Sequence, residues 1–425
     1  MISIKEVLKP NQLFALIAKG LEGAKVIILN IIIARYFGPE TYGKFAFVTG
    51  IATLIALIGE YRLINIIMKE IGEKPKSTGK IIGSALAVNL LFSLIGACLL
   101  LAIATYYHRD DVIFYGLIIY STSYIFKIPR AFKAYFVALG KNIYNVASEL
   151  FASIICILSI AIVILNSGSI YEIVFYRVLD FLYVSIALTI CFWSLKDRPA
   201  IETNLKIAKD LTRSALPLAI SGFALILFQR VDLFVIKYYL GDEQVGYYSA
   251  ATNYMMLFTI PTIVLAESMA PKMFSAGTQH ARHTYTKTIT WIGALMSIIM
   301  LLTAWFFIPL LYGKNFSISL SCALILATVP FLIGLGSSAG QLIVKDGTQH
   351  KAVTKSFFAC LLNICLNLIL IPRWGINGAA ISSVISFFFA YFVSHYIIKD
   401  LRGVFFEQCR AITGRPINPR QDINS

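Results

Sequence analysis

Residues 33–43 read Ile33-Ala-Arg-Tyr-Phe-Gly-Pro-Glu-Thr-Tyr-Gly43, and residues 236–246 read Ile236-Lys-Tyr-Tyr-Leu-Gly-Asp-Glu-Gln-Val-Gly246. Isoleucine, tyrosine, glycine, glutamate and a second glycine coincide at a single offset of 203 residues. Each stretch lies between two long apolar runs, so each reads as a tight turn joining two helices. Gly38 and Gly241 fall just past a helix end, where a left-handed cap favours glycine. Glu40 and Glu243 precede the next helix, where a carboxylate suits the positive helix N-terminus. Any hairpin has such residues; the repetition is what matters, because it divides the chain into two similar halves.

Working outward from the two turns, apolar runs of the length a bilayer requires, about twenty residues, fill both halves. The first half holds 12–34, 44–68, 81–106, 112–138, 146–166 and 171–194. The second holds 215–239, 246–269, 286–310, 317–343, 352–372 and 376–398. The fold class is therefore an all-α polytopic membrane protein of about 12 transmembrane helices in two six-helix bundles. Residues 1–194 form the N-terminal half, 195–214 a polar cytoplasmic linker, 215–398 the C-terminal half and 399–425 a cytoplasmic tail. Six helices separate the repeated turns, so both halves insert with the same orientation. That is a parallel repeat about an axis along the membrane normal, a plan common among transporters.

Composition agrees. Hydrophobic residues make up 58% of the chain and charged residues only 14%, against about a quarter charged in soluble domains. The net charge of +15 does not indicate nucleic-acid binding, because Lys and Arg concentrate in alternate loops. One side carries Lys69, Lys74, Lys76, Lys80, Lys196, Arg198, Lys206, Lys209, Arg213, Lys272 and Arg282; the other carries only Arg35, Arg109, Lys314 and Arg373. This is the positive-inside pattern, and it places both termini in the cytoplasm. The first apolar segment contains Lys19, Glu22 and Lys25 and has no small-residue cleavage site, so it reads as a helix and not as a cleaved signal. The seven cysteines form no CxxC and no metal-ligand spacing, which leaves no expected metal site or cofactor. No phosphate-binding GxxxxGK[ST], HExxH or GxSxG is present, and an enzyme is not expected.

Ionisable residues inside the spans are the exception to this composition. Each costs about 2.5–3.5 kcal/mol at a helix centre unless it meets a partner or water. Lys19, Glu22 and Lys25 share one face of the first helix, where Glu22 is in reach of either lysine. Lys127, Arg130 and Lys133 repeat the spacing with no acid among them, on a helix that Pro129 is expected to kink. Arg177 and Asp180 have the spacing of an intrahelical pair. Arg230 lies near the middle of the seventh helix, and Asp232, two residues on, diverges from it by about 200°. Arg62 and Glu60 share that difficulty. Lys19, Lys25, Arg62, Lys127, Arg130, Arg177 and Arg230 are the candidate substrate-binding cations. Glu22, Glu60, Asp180, Asp232 and Glu267 are candidate ion-coupling carboxylates, each with the competing role of structural partner to an arginine. Tyr36, Tyr124, Tyr176, Tyr254 and Trp291 are candidates for stacking on sugars, with interfacial anchoring the competing reading. Pro261, Pro330 and Gly334-Leu-Gly336 interrupt helices eight and ten, as hinges or as static kinks.

The segment Arg35-Tyr-Phe-Gly-Pro-Glu-Thr-Tyr-Gly43, with Gln229-Arg-Val-Asp232, Gly241-Asp-Glu-Gln-Val-Gly-Tyr-Tyr-Ser-Ala250 and Trp374-Gly-Ile-Asn-Gly-Ala-Ala380, resembles one known group. It is the polysaccharide-export, or Wzx-type flippase, branch of the multidrug/oligosaccharidyl-lipid/polysaccharide exporter superfamily. The resemblance covers nearly the whole chain. It implies alternating-access translocation of an undecaprenyl-pyrophosphate-linked glycan, such as an O-antigen repeat unit, across the bacterial inner membrane. It further implies polysaccharide polymerase and chain-length proteins as partners, and H+ or Na+ as the coupling ion. The alternative is an ion-coupled multidrug exporter of the same architecture. Its cationic substrates call for an acidic cavity, whereas the cations here outnumber the acids. A pyrophosphate is a compact anion that the planar guanidinium fork matches well.

Overall fold

The computed structural model describes residues 10–59, 63–108, 111–276 and 278–414. Glu60 and Arg62 lie outside the described residues, and so does the side chain of Lys19. Helix dominates the described residues. Fifteen α-helices run in order: α1 (Pro10–Gly59), α2 (Leu63–Glu73), α3 (Thr78–Ala104), α4 (Val112–Phe126), α5 (Ala131–Ala138), α6 (Ile143–Leu165), α7 (Ile170–Trp193), α8 (Leu205–Leu240), α9 (Asp242–Ala276), α10 (Gln279–Tyr312), α11 (Ser319–Leu326), α12 (Val329–Lys345), α13 (Gln349–Phe388), α14 (Ser394–Ile397) and α15 (Arg402–Thr413).

Eight helical stretches of the described residues are long and apolar enough to cross a membrane. A ninth joins α4 to α5 through a 43° bend. Pro129 sits at that bend, in the short turn Ile128–Arg130 between the two helices, as its missing N–H dictates. Two of the eight stretches each hold two predicted spans. In α1 the backbone breaks at Gly38 (φ 77, ψ 178), and in α13 it breaks at Gly375 (φ 58, ψ −141). The Gly38 conformation is not the left-handed helical cap that the sequence implied. It lies in the region of positive φ and extended ψ that is essentially reserved for glycine. With α8, these elements account for every predicted span. Long stretches of the surface are apolar, as lipid contact requires. On α10, Leu302, Trp305 and Phe306 are each exposed by about two thirds or more.

Packing divides the chain at a different place from the repeat. One unit is Lys9–Lys237, and the other holds the chain from Tyr238 onward. The expected linker, 195–214, therefore lies inside the first unit, and α8 begins within it at Leu205. Leu211, Ala215 and Ala219 of α8, spaced by four, are buried in a core with Leu63, Ile81 and Phe192. Further along α8, Phe234 meets Phe47 of α1 at 5.5 Å, and Leu233 packs on Gly50. The linker backbone is clamped as well: Ser84 and Asn204 exchange two hydrogen bonds of 3.0 Å. A Cβ at Gly79 would overlap the Ala200 carbonyl.

In the second unit, Ala266, Tyr285, Ile289, Leu342 and Val404 form a core. The tenth predicted span is interrupted as expected: α11 ends at Leu326 and α12 starts at Val329, with Pro330 in its first turn. Gly334 lets α12 approach α10 closely, since a Cβ there would lie 2.9 Å from the Ile289 carbonyl. That is a packing role, with no hinge required. Within the described residues the tail folds back as a helix. Its helix α15 buries Val404, Glu407, Gln408 and Ala411, and Trp291 of α10 donates its indole N–H to the Ala411 carbonyl at 3.1 Å.

Candidate functional site

The first unit gathers most of the intramembrane charges into one cluster. Lys25 of α1 reaches Asp180 of α7 at 2.8 Å and Glu149 of α6 at 3.5 Å, with all three almost fully buried. Glu149 also faces Lys133 of α5 at 3.5 Å, and Lys133 pairs with Glu22 of α1 at 3.2 Å. Asp180 takes a second cation, Arg177, at 3.1 Å. Four helices are thereby tied through three carboxylates. No single helix could do this, because side chains one turn apart on one face cannot surround each other.

Beside this network stands a second arrangement. Phe181, the residue after Asp180, presents its ring to Lys127 at 4.2 Å, to Arg130 at 5.2 Å and to Arg177 at 5.7 Å. A ring face attracts cations by its quadrupole, at about 0.5–1 kcal/mol for each exposed contact and more when desolvated. Three cations that would otherwise repel one another are held around one phenyl group. Among the described residues, five cations of this cluster (Lys25, Lys127, Arg130, Lys133, Arg177) gather with three carboxylates (Glu22, Glu149, Asp180).

Several expectations change here. Glu22 reaches across a helix interface to pair with Lys133. Lys133 has carboxylates of two helices around it. The three-residue ladder 127/130/133 is not without acids, because tertiary contacts supply them. Arg177 and Asp180 do form the intrahelical pair. The interior is thus partly compensated, and Glu22 and Asp180 act as partners of cations. Glu149 is readable in the sequence as a charge inside an apolar span, but no role follows from it there. It is a lone acid with no charged neighbour at helical spacing, and its place in that span is the only signal.

The remaining candidates lie elsewhere. On α8, Arg230 is half-buried, while Asp232 is buried and accepts the Leu233 N–H at 2.8 Å. Glu267 belongs to the second unit, on α9. Tyr124 and Tyr254 are not interfacial anchors: both are buried, with hydroxyls bonded to the Ala52 carbonyl and to Thr303 at 2.7 Å. Tyr36 and Trp291 are exposed. In the repeated turn both glutamates find a partner one helical turn on, Lys44 for Glu40 at 3.3 Å and Tyr247 for Glu243 at 2.7 Å.

Helices of this number with a charged cluster inside a membrane-spanning unit define a polytopic transporter-type fold. Two solved structures share it. A lipid II flippase, MurJ, in an inward closed conformation is 14% identical and superimposes with a TM-score of 0.76, covering 96% of this chain and 94% of that one. An inward-facing multidrug resistance MATE family transporter of the MOP superfamily is 15% identical with a TM-score of 0.75, over 92% of this chain and 94% of the other. The chain belongs to the polysaccharide biosynthesis protein family, whose sequence profile matches residues 11–276. It is also similar to a probable low-salt glycan biosynthesis flippase of Haloferax volcanii, with 23% identity over 382 residues, 86% of this chain and 78% of that protein.

Proposed function

We propose that this protein is a flippase for a lipid-linked glycan. Its substrate is an undecaprenyl-pyrophosphate-linked oligosaccharide, an O-antigen or related surface-polysaccharide repeat unit. The glycan moves from the cytoplasmic to the outer face of the inner membrane by alternating access, with no covalent bond made or broken. Membership of the polysaccharide biosynthesis family and the likeness to a glycan flippase support the class of cargo. The carrying observation is the cluster around Phe181, where Lys127, Arg130 and Arg177 converge on one ring inside a membrane-spanning unit. A diphosphate is the chemical group that such a convergence suits, since charge-assisted bonds to phosphate are short and strong. In this reading the carboxylates have a separate task. Asp180, Glu149 and Glu22 hold Lys25, Lys133 and Arg177 in place, so the site does not collapse or flood when the head group leaves. Lys19, Arg62 and Arg230 remain further candidate cations for the head group. The convergence of cations favours an anionic lipid-linked head group over the cationic drugs of a multidrug exporter.

The test is flipping of a polyprenyl-pyrophosphate-linked sugar in proteoliposomes, read by access of the sugar to an external lectin. Arg130→Gln and Lys127→Gln each remove a charge worth about 1.5–3 kcal/mol in a hydrogen bond to phosphate. Flipping should fall roughly ten- to a hundredfold with insertion unchanged. Wild-type rates in both variants would remove this cluster from the path.

A further inference from the structure

The second unit contains a buried chain of polar groups that the flippase reading leaves unused. Lys355 of α13 is 7% exposed, His395 of α14 and Gln408 of α15 are fully buried. Lys355 Nζ lies 2.9 Å from His395 Nε2, and His395 Nδ1 lies 2.9 Å from Gln408 Oε1. Gln408 Nε2 donates to two backbone carbonyls, Leu335 at 3.0 Å and Tyr391 at 2.9 Å.

Those two carbonyls determine the protonation along the chain. Carbonyls only accept, so the Gln408 amide must turn its NH2 toward them and its oxygen toward His395. An amide oxygen only accepts, so His395 Nδ1 must carry a proton. In a neutral imidazole Nε2 is then an acceptor, and Lys355 supplies the proton it accepts. Both groups cannot be charged at 2.9 Å, because Nε2–H would face an ammonium. The pair therefore holds at most one shared proton between two nitrogens, and either position for it leaves every hydrogen bond satisfied. Among the described residues no carboxylate pairs with Lys355. The Tyr391 ring lies 5.8 Å from Nζ. The acids of the neighbouring elements are engaged elsewhere: Glu407 of α15 is bound to His283 of α10 at 2.7 Å, and Asp400 to Lys351 at 3.1 Å. A proton gained or lost here changes the local charge by one with no counter-ion to absorb it, in surroundings where charge is expensive.

We propose that Lys355 and His395 form a one-proton site in the second unit, wired through Gln408 to the seat of α15. Its position sets it apart from the carboxylates that sequence reasoning offers for ion coupling. The backbone beside it is a turn of π-helix, Phe389–Val393, of the kind frequent at functional sites. Gly336 presses against the Tyr391 ring there, where a Cβ would come within 2.5 Å, so the packing fixes the ring that faces Lys355.

The experiment is nitrogen NMR of the full chain in lipid nanodiscs with 15N-labelled histidine. His395 is assigned by loss of its signal in His395→Gln, and the sample is titrated over the range in which melting shows it folded. The expected wild type has Nδ1 protonated and Nε2 as acceptor, with the Nε2 resonance moving as the shared proton is lost. Lys355→Met should abolish that movement. Should that variant not fold, Lys355→Arg keeps the donor and cannot titrate, and it should give the acceptor-type Nε2 signal at every pH. A proton fixed on Nε2 would overturn the proposal. So would a resonance that does not move in the wild type, or one that moves unchanged in the lysine variants.

Discussion

Asp180→Asn is the sharpest test of the idea that carboxylates build the site and cations use it. Asp180 is 1% exposed and accepts Lys25 at 2.8 Å and Arg177 at 3.1 Å. The substitution preserves shape and removes one charge. Lys25 keeps Glu149, at 3.5 Å, and Arg177 loses the carboxylate it is bonded to. Breaking a buried pair by removing one member costs about 3–5 kcal/mol, because the other charge stays buried. At about 2–4 °C per kcal/mol for a domain of this size, melting of the purified protein should fall by roughly 6 to 20 °C. Glu149→Gln gives the internal comparison. Both lysines it touches retain a closer carboxylate, Asp180 for Lys25 and Glu22 for Lys133, so its loss should be less than half as large. Combining Lys25→Met with Asp180→Asn should recover part of the deficit, since a stranded cation leaves with its partner. The assay is thermal melting in a fixed detergent, monitored by tryptophan fluorescence. If Asp180→Asn proves no worse than Glu149→Gln, or if the double variant is additive, the network is not the scaffold described.

Three further outcomes are expected. Gly38→Ala should cost about 1–3 kcal/mol through backbone strain alone, since φ is 77° and a Cβ there meets nothing within 4 Å; an unchanged melting curve would refute the strain. Gly79→Ala should destabilise by a different route, overlap with the Ala200 carbonyl, and should release the linker to protease at 195–204 while Gly38→Ala leaves it protected. Cysteines placed at Lys196 or Arg198 should react with an impermeant reagent only from the cytoplasmic side; labelling from outside would overturn the assigned orientation.

Much of the fold was legible because lipid imposes a simple rule. A chain in hydrocarbon must satisfy its backbone internally, so length and apolar content alone located the spans, and Gly38 with Gly241 located two of the turns. The kink at Pro129 followed equally from a missing N–H. The site was less legible. Residues 127, 130 and 133 read as an unrelieved cationic ladder, yet Lys133 is met by Glu22 and Glu149 from two other helices. Arg177 and Asp180 were readable only because their pairing is local, one turn apart.

The sequence by itself determined that this chain crosses a membrane many times, that it repeats, and that it carries more cations than its spans tolerate unpaired. Periodicity, apolar length and charge are properties of one helix or one loop at a time. Only the tertiary structure decided that Glu149 joins two lysines, that Phe181 collects three cations, and that α8 packs with the helices before it. Only there does a histidine on α14 meet a lysine on α13 and a glutamine on α15. Coulombic and hydrogen-bond partners at sequence separations of 13 to 155 residues leave no mark in local pattern, because what selects them is the close approach of helix faces.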